Sequence, residues 1–404
     1  MPKLTIRDID LTNKRLFIRV DFNVPLTEDG STITDDTRIV ATLPTIEFAL
    51  RRKAKVILAS HLGRPKGKPD MKYSLRPVVD RLRALLCKAL GEAVNVAFAP
   101  DCIGEVATTM ARQLVSGQVL LLENLRFHAE EESNDPAFSR ELASLADVYV
   151  NDAFGSAHRA HASTEGITHF LKPAVAGLLM EKEITYLGKA LESPEKPFVA
   201  IIGGSKISGK IDVIDNLLDK VDTLVIVGGM AYTFERALGV TTGKSLVEED
   251  KIDMAKKALD KAKAKGVKLL LPVDNILADK FAADANTKVW DCSKNFPAEW
   301  MGLDIGPKSI AAIEEVVSTA RTIVWNGPEG VFEFPRFAVG TNAIARAVAA
   351  NRAATSIIGG GDSVSAINQA GVADQITHIS TGGGASLEFL EGKKLPGVEA
   401  LTDK

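Results

Sequence analysis

Short apolar runs alternate with longer helical patterns along most of the chain. The runs are continuous and rich in Val, Ile and Leu, which is typical of parallel strands covered on both faces. Segments between them, such as 75–90 and 251–265, space their apolar residues as a helix does. The alternation predicts an α/β fold built from doubly wound parallel sheets. The predicted strands are 15–20, 54–60, 94–99, 118–124, 147–152, 197–204, 222–229, 267–272, 322–327 and 355–361.

The length of 404 residues exceeds what one hydrophobic core usually supports, so we expect two domains. Segment 178–193 has the pattern of a single amphipathic helix and is bounded by prolines on both sides. We therefore predict an N-terminal domain over 1–177, a connecting helix or hinge over 178–196, and a C-terminal domain over 197–389.

Glycine and arginine are distributed unequally between the two halves. Residues 1–180 hold nine of the 32 glycines and fourteen arginines, whereas residues 181–404 hold twenty-three glycines and five arginines. Glycine-rich turns allow backbone N–H groups to surround phosphates, and arginine forks bind carboxylate and phosphate oxygens. The distribution indicates an anionic-substrate half followed by a nucleotide half, as a two-substrate phosphotransferase would have.

Charge and composition exclude several classes of partner. The net charge of -3 gives no basic field, which argues against nucleic acid or an anionic membrane as the main partner. No apolar run approaches bilayer length, and the N-terminal segment lacks the apolar stretch of a signal peptide. Cys87, Cys102 and Cys292 are far apart and show no zinc-site spacing. We expect a cytoplasmic protein, and nothing in the composition requires more than a monomer.

Polar residues follow the predicted strands of the first half. Ligands of open parallel sheets bind beyond the carboxyl ends of the strands. Several arginines meeting there would trap a small polyanion, and neighbouring carboxylate and amide oxygens would accept hydrogen bonds from its hydroxyl group. The candidates are Asp21, Asn23, Arg38, His61, Arg64, Asn124, Arg126, His158, Arg159 and His161.

The segment GGSKISGK (203–210) resembles a P-loop, but Ile211 stands where a P-loop has Ser or Thr. Lys206 and Lys210 are four residues apart and are predicted to share one helix face, so that both could reach one phosphate region. A helix start with two solvated lysines is the alternative, and the motif alone leaves both open.

Two glycine-rich segments each follow a predicted strand and precede a predicted helix: IIGGGDS (357–363) and HISTGGGASLEFL (378–390). Asp362 could cap its own helix or bind magnesium, and both interpretations remain open. Two such helix starts suggest phosphoryl transfer more than static binding. In WNGPEGVFEF (325–334), Glu333 is either an exposed loop carboxylate or a ligand of ribose hydroxyls.

Together these segments resemble the signatures of the phosphoglycerate kinase family, and the likeness extends over essentially the whole chain. The stretches that carry it are RVDFNVP, SHLGRP, LLENLRF, FGSAHRAHAS, GGSKISGKI, WNGPEGVFE, GGGDS and STGGGASLE. Two departures are small: Glu329 occupies a variable position, and Ser363 replaces a threonine found in some relatives.

The resemblance implies two Rossmann-like domains that face each other across a cleft, with the tail after residue 389 crossing back to the first domain. It implies that 3-phosphoglycerate is bound by Asp21, Asn23, Arg38, His61, Arg64, Arg126 and Arg159. It assigns ATP or ADP to Gly204, Lys206, Lys210, Gly228, Gly229, Gly306, Asn326, Glu333, Gly359, Gly360, Gly361, Asp362 and Ser363. Asp362 would bind Mg²⁺, and the groups at the reaction centre would be Arg38, Lys206, Lys210, Gly360, Gly383 and Gly384.

The implied reaction is reversible transfer of a phosphoryl group between 1,3-bisphosphoglycerate and ADP, which requires closure of the two domains. A NAD-dependent dehydrogenase is one rival, but no GxGxxG follows the first strand. A two-domain protein that binds an anion or nucleotide without chemistry is the other, and it would need no magnesium ligand.

Overall fold

The computed structural model describes residues 2–404, and Met1 lies outside the described residues. The chain forms two compact units. The first comprises the described chain up to Thr185 together with Lys394–Lys404, and the second comprises Tyr186–Lys393. The division falls inside the helix that the sequence places between the two domains.

The first unit contains a six-stranded parallel sheet in the order β3-β4-β2-β1-β5-β6. Its strands are β1 (Arg15–Arg19), β2 (Lys55–Ala59), β3 (Val96–Ala99), β4 (Val119–Leu122), β5 (Val148–Asn151) and β6 (Ala174–Ala176). The helices of this part are α1 (Thr37–Arg51), α2 (Arg76–Leu90), α3 (Gly104–Gln113), α4 (Ala129–Glu132), α5 (Pro136–Ser144) and the start of α6 (Leu178–Glu192).

The second unit contains another six-stranded parallel sheet and a small antiparallel one. Its strands are β7 (Phe198–Ile202), β8 (Thr223–Ile226), β9 (Lys268–Leu270), β10 (Asp274–Ala278), β11 (Thr287–Asp291), β12 (Met301–Ile305), β13 (Thr322–Asn326), β14 (Thr355–Gly359) and β15 (His378–Ile379). Its helices are α7 (Ile211–Leu217), α8 (Met230–Ala237), α9 (Ile252–Lys265), α10 (Pro307–Thr319), α11 (Val339–Ala350), α12 (Gly361–Gln369) and α13 (Gly384–Leu390). The parallel order is β15-β14-β13-β7-β8-β9, and the antiparallel order is β11-β10-β12.

The predicted α/β class and every predicted strand are confirmed, because each continuous apolar run contains a strand of one of the two parallel sheets. The antiparallel sheet was not predicted. Along β11, exposed and half-buried residues alternate, so this strand has no continuous apolar run. Strand β6 spans three residues, which is too short for a pattern to be recognised.

The C-terminal segment packs on the first unit through buried side chains and backbone hydrogen bonds. The Leu4 amide donates to the Thr402 carbonyl at 2.8 Å, and the Thr402 amide donates to the Ala174 carbonyl at 2.9 Å. The short helix α14 (Pro396–Glu399) lies between the buried Leu395 and Leu401. In residues 2–404, no helix has both the length and the apolar character needed to span a bilayer.

Candidate functional site

Loops that leave the carboxyl ends of neighbouring strands meet in the first unit. Asp21, after β1, accepts a hydrogen bond from the Arg38 guanidinium of α1 at 2.5 Å. The Asn23 side-chain oxygen accepts from the Gly63 amide at 2.9 Å, and Arg126 donates to the Gly63 carbonyl at 2.9 Å. Residues distant in sequence are thereby brought to one end of the sheet, as the parallel topology requires.

Two histidines of this cluster, His61 and His161, have lowered pKa values, which favours their neutral forms. Burial lowers the pKa of His61 well below its ordinary value, and the charges of Arg19, Arg126 and Arg38 lower it further. Burial together with Arg126 and Arg19 lowers the pKa of His161 to about 4. The positive charge that an anion would meet here is therefore carried by arginines.

Two arginines predicted for this site are exposed. Arg159 lies in the loop after β5, and its charge lowers the pKa values of Arg126 and His161, so it lies near them. Arg64 follows Gly63 in the loop after β2 and makes no hydrogen bond or ion pair with another described residue. Arg64 is thus next to a cluster residue along the chain, but no hydrogen bond or ion pair connects its side chain to the cluster.

The second unit contains a cavity of about 700 Å³ at the carboxyl end of its parallel sheet, of the size of small-molecule sites. Glycine loops form one wall and apolar side chains the other. The lining residues are Gly204, Ser205, Gly228, Gly229, Tyr232, Lys244, Leu246, Phe281, Met301, Gly302, Leu303, Pro328, Glu329, Gly330, Val331, Glu333, Phe334 and Asp362.

The glycine loops approach one another too closely for side chains. A Cβ on Gly228 would lie 2.6 Å from the Gly204 nitrogen, and one on Gly203 would lie 2.3 Å from the Pro328 carbonyl oxygen. Gly228 also has a φ of +71°, which L side chains rarely adopt. The wall of the cavity is therefore bare backbone, which a phosphate chain can approach.

Lys210 lies beneath these loops. Its ammonium group donates to the Gly203 carbonyl at 2.7 Å, the Asn326 carbonyl at 2.9 Å and the Asn326 side-chain oxygen at 2.7 Å. Burial lowers its pKa to about 8, and the carboxylate of Asp362 opposes that shift. The ammonium group is held in place before any ligand arrives.

The prediction that Lys206 and Lys210 share a helix face was wrong. Helix α7 begins at Ile211, and residues 206–210 form the turn before it. Glycines favour such a turn over a helix, because their backbone loses the most freedom on ordering. Lys206 is consequently exposed, while Lys210 points back into the loops.

Asp362 lies in the first turn of α12, after the Gly360 cap, and makes no capping hydrogen bond. Its side chain is exposed and lines the cavity. An exposed carboxylate that makes no hydrogen bond or ion pair within the protein is a hard oxygen donor that fits Mg²⁺. The helix-cap alternative for Asp362 is thus not observed.

The other predicted nucleotide residues have distinct positions. Ser363 accepts a hydrogen bond from the Gly327 amide at 2.6 Å, and Glu333 is exposed at the cavity rim. Gly306 is not brought to the cavity: it follows the far end of β12 and packs against Asp274. Gly302, near the start of β12, lines the cavity instead. The remaining predicted glycines lie at helix starts or just before them: Gly359 ends β14, Gly360 and Gly361 begin α12, and Gly383 and Gly384 begin α13.

Sequence reasoning missed the apolar wall of the cavity and several buried polar groups. Phe281, Phe334 and Leu246 lie in irregular segments, and no sequence pattern distinguishes them from core or surface residues. Arg19 and Glu131 were also missed, although both are completely buried in the first unit.

Cys102 lies near a histidine, which its sequence neighbours do not reveal. Potential ligand atoms of Asp101, Cys102 and His128 lie within 4.8 Å of one another. His128 Nε2 and Asp101 Oδ1 are already hydrogen-bonded at 2.7 Å, and burial raises the pKa of the thiol. An Asp–His hydrogen bond beside a neutral thiol accounts for this arrangement without a metal.

Comparisons with a family model, with sequence relatives and with solved structures all indicate the same family. The family model described as phosphoglycerate kinase matches residues 6–393. The chain is 73% identical, over the full length of both proteins, to a phosphoglycerate kinase of Acidobacterium capsulatum. It is 58% identical to a cytosolic phosphoglycerate kinase of Triticum aestivum, with 99% of this chain and 98% of the relative covered.

A solved structure of phosphoglycerate kinase from Coxiella burnetii matches with a TM-score of 0.88 and 43% identity, covering 99% of this chain and 98% of that one. Family model, sequence and fold therefore coincide over nearly every residue. This chain belongs to the phosphoglycerate kinase family.

Proposed function

We propose that this chain is a phosphoglycerate kinase that transfers a phosphoryl group reversibly between 1,3-bisphosphoglycerate and ADP, with 3-phosphoglycerate and ATP as the products. The observation that carries the proposal is the pairing of two different sites in one chain. One unit presents arginines and neutral histidines at the end of its sheet, and the other presents a glycine-walled cavity with Lys210 and Asp362.

The arginine cluster suits 3-phosphoglycerate, which carries a carboxylate and a phosphate. We assign this substrate to Asp21, Asn23, Arg38, His61, Arg64, Arg126 and Arg159. Guanidinium groups bind both kinds of anion through paired hydrogen bonds. Asp21 already orients Arg38, whose side chain is partly exposed and thus accessible to a ligand.

The cavity suits a nucleotide. Its apolar wall would hold the base, Glu333 the ribose hydroxyls, and the glycine loops the phosphates. Mg²⁺ bound by Asp362 would neutralise the β- and γ-phosphates. Lys206 and Lys210 would contact the phosphates, and α12 and α13 would direct backbone N–H groups from Gly360, Gly383 and Gly384 at the transferred group.

The chemistry needs no general base, because the acceptor carboxylate of 3-phosphoglycerate is already ionised at neutral pH. Catalysis then consists of aligning the reactants and compensating negative charge. Since the two substrates bind different units, transfer requires domain closure, which would also exclude water from the acyl phosphate. We further propose a cytoplasmic monomer, and cytosolic names among the plant relatives support the location.

The test is ATP consumption by the purified protein with 3-phosphoglycerate and Mg²⁺, coupled through glyceraldehyde-3-phosphate dehydrogenase to NADH oxidation. We expect turnover only when all three components are present. Arg38→Ala and Lys206→Ala should each reduce kcat by roughly a hundred- to a thousand-fold while nucleotide binding remains measurable. A folded, ATP-binding protein without turnover would favour the non-catalytic alternative, which family membership otherwise disfavours.

A further inference from the structure

Arg19 is completely buried at the end of β1, where each side of its guanidinium group has a defined acceptor. Nε donates to Ser163 Oγ at 2.8 Å, one terminal nitrogen donates to the Val20 carbonyl, and the other lies 3.1 Å from His61 Nδ1. A guanidinium group only donates hydrogen bonds and does not lose its proton in proteins. His61 Nδ1 must therefore be the acceptor, and the proton of the neutral ring is on Nε2.

Ser163 connects Arg19 to a buried counter-charge. Its hydroxyl accepts from Arg19 and donates to Glu131 Oε1 at 2.5 Å, while its amide donates to Glu131 Oε2 at 2.9 Å. Glu131 is completely buried, and burial raises its pKa, although the charge of Arg19 opposes the shift. The chain Glu131–Ser163–Arg19–His61 is continuous, and each member restricts the orientation of the next.

The charged surroundings of His61 keep its ring neutral. Arg19 of β1, Arg38 of α1, Arg126 after β4 and His161 after β5 all act on it, and burial contributes most to its lowered pKa. Nε2 makes no hydrogen bond to any residue that the structure describes. Because Nδ1 is occupied, Nε2–H is the one donor that the ring can offer to a ligand.

We propose that Arg19 is a positioning residue, held by Ser163 and Glu131, that fixes His61 as the Nε2–H tautomer for donation to 3-phosphoglycerate. The substrate in this statement rests on the proposed function, whereas the tautomer does not. The arrangement gives the site an oriented neutral donor among its arginines. An unfixed ring would divide its population between two tautomers, and only one of them presents a donor at Nε2.

The direct test is long-range ¹H–¹⁵N NMR of the His61 ring, assigned by comparison with His61→Gln, in the substrate-free protein. We expect a single Nε2–H signature that is constant between about pH 6 and pH 8. In Arg19→Met, the ring should show both tautomers, because the hydrogen bond that makes Nδ1 the acceptor is lost. An Nδ1–H signature in the wild type, or an unchanged signature in Arg19→Met, would overturn the proposal.

Ser163→Ala provides a milder variant in case Arg19→Met does not fold. It removes the bridging hydroxyl, so we expect a smaller shift toward mixed tautomers. Ser156→Ala is the matched control, because Ser156 is a buried serine of the same segment whose hydroxyl lies outside this chain of hydrogen bonds. Ser156→Ala should leave the His61 signature unchanged, and an equal effect in both variants would contradict a positioning role.

Kinetics connect the tautomer to the substrate. In Arg19→Met, KM for 3-phosphoglycerate should rise roughly ten-fold, with KM for ATP nearly constant. In Ser163→Ala the rise should be roughly three- to five-fold. If the NMR signature is as expected but 3-phosphoglycerate is neither bound nor phosphorylated, the positioning role stands and the assigned substrate is wrong.

Discussion

Lys210 shows how a single residue is prepared for its role. Its identity follows from the GxxxxGK pattern, but its partner Asn326 lies 116 residues further along the chain, and no local pattern links the two. The buried ammonium group is held by three oxygen atoms, and its pKa is lowered to about 8. A phosphate would therefore meet a charge whose position is already fixed, although that charge is lost at moderately alkaline pH.

A pH profile of kcat/KM for ATP tests this property, because it reports the ionisation of the free enzyme. The value should fall as pH rises through about 8, since only the protonated amine binds phosphate. Lys210→Arg should lower activity at neutral pH and abolish the decline, because arginine stays charged. Lys206→Arg is the control, since Lys206 is exposed, and should retain the decline. A wild-type profile that is flat to about pH 9.5 would contradict the assignment.

Glu329 illustrates a residue whose environment the sequence concealed. It looks like a variable position in an Asn-Gly-Pro turn, yet its side chain is buried and neither oxygen has a hydrogen-bond partner among the described residues. Burial, reinforced by the Asp304 carboxylate, raises the pKa of Glu329 well above its ordinary value. Unfolding exposes Glu329 and restores that ordinary value.

Above about pH 4.5, Glu329 therefore keeps its proton in the folded protein, whereas the unfolded chain releases it. The stability contributed by this protonated group is complete below that pH and declines as pH rises. Glu329→Gln should thus stabilise the protein by about 1–3 kcal/mol at pH 8 and by less at pH 5. Thermal unfolding at both pH values measures this, with the exposed Glu333→Gln as control. A stabilisation that is larger at pH 5 would contradict the argument.

Among the structural elements, helix α6 starts from a buried acceptor. Asp152 follows β5, and its Oδ1 accepts from the amides of Leu179 at 2.9 Å and Met180 at 3.2 Å. These amides belong to the first turn of α6, where N–H groups have no partner within the helix. The carboxylate thereby fixes the start of the helix in which the two compact units divide.

Asp152→Ala should destabilise the first unit by about 1–3 kcal/mol, because it removes a helix-capping acceptor and leaves two amides without a partner in a buried site. Chemical denaturation followed by circular dichroism measures the change. Asp147→Ala is the control at the other end of β5, where a partly exposed carboxylate pairs with Arg15. It should cost less than about 1 kcal/mol. Equal losses in both variants would show that α6 does not depend on Asp152.

Prediction of the elements succeeded where the hydrophobic pattern was continuous. Most strands of the two parallel sheets are continuous runs rich in Val, Ile and Leu, a pattern that is typical of strands covered on both faces. The antiparallel sheet was missed because β11 has one exposed edge and alternating burial. The same limit explains Gly306 and Gly302: both belong to one GLDIGP stretch, and only the direction of β12 shows which of them reaches the cavity.

At the scale of the whole molecule, the chain begins and ends in the same compact unit. Lys394–Lys404 belongs to the first unit, although the preceding two hundred residues belong to the second. Leu395, Val398 and Leu401 are buried there, and Lys3 forms an ion pair with Asp403 at 2.8 Å. The composition of this tail did not indicate where it packs, because few of its residues are apolar.

Removal of residues 394–404 should destabilise the first unit by several kcal/mol, since each buried aliphatic side chain contributes about 1.5–3 kcal/mol. All three tryptophans lie in the second unit, at positions 290, 300 and 325, so their fluorescence reports that unit alone. In the truncated protein, we expect the unfolding transition seen by tryptophan fluorescence to change little. Binding of 3-phosphoglycerate should be lost at a lower denaturant concentration than in the full chain. Lys394→Ala, at an exposed position, is the control. Parallel shifts of both signals would contradict independent units.

The most direct test of the two-site account is to measure the dissociation constants of 3-phosphoglycerate and MgADP for Arg126→Ala and Lys210→Met. In Arg126→Ala, the dissociation constant of 3-phosphoglycerate should rise roughly ten- to a hundred-fold, and that of MgADP should stay almost unchanged. In Lys210→Met, the dissociation constant of MgADP should rise by a similar factor, and that of 3-phosphoglycerate should stay almost unchanged. If each substitution weakens the binding of only one ligand, each unit binds its own substrate. If either variant weakened both ligands equally, the division of the substrates between the two units would be wrong.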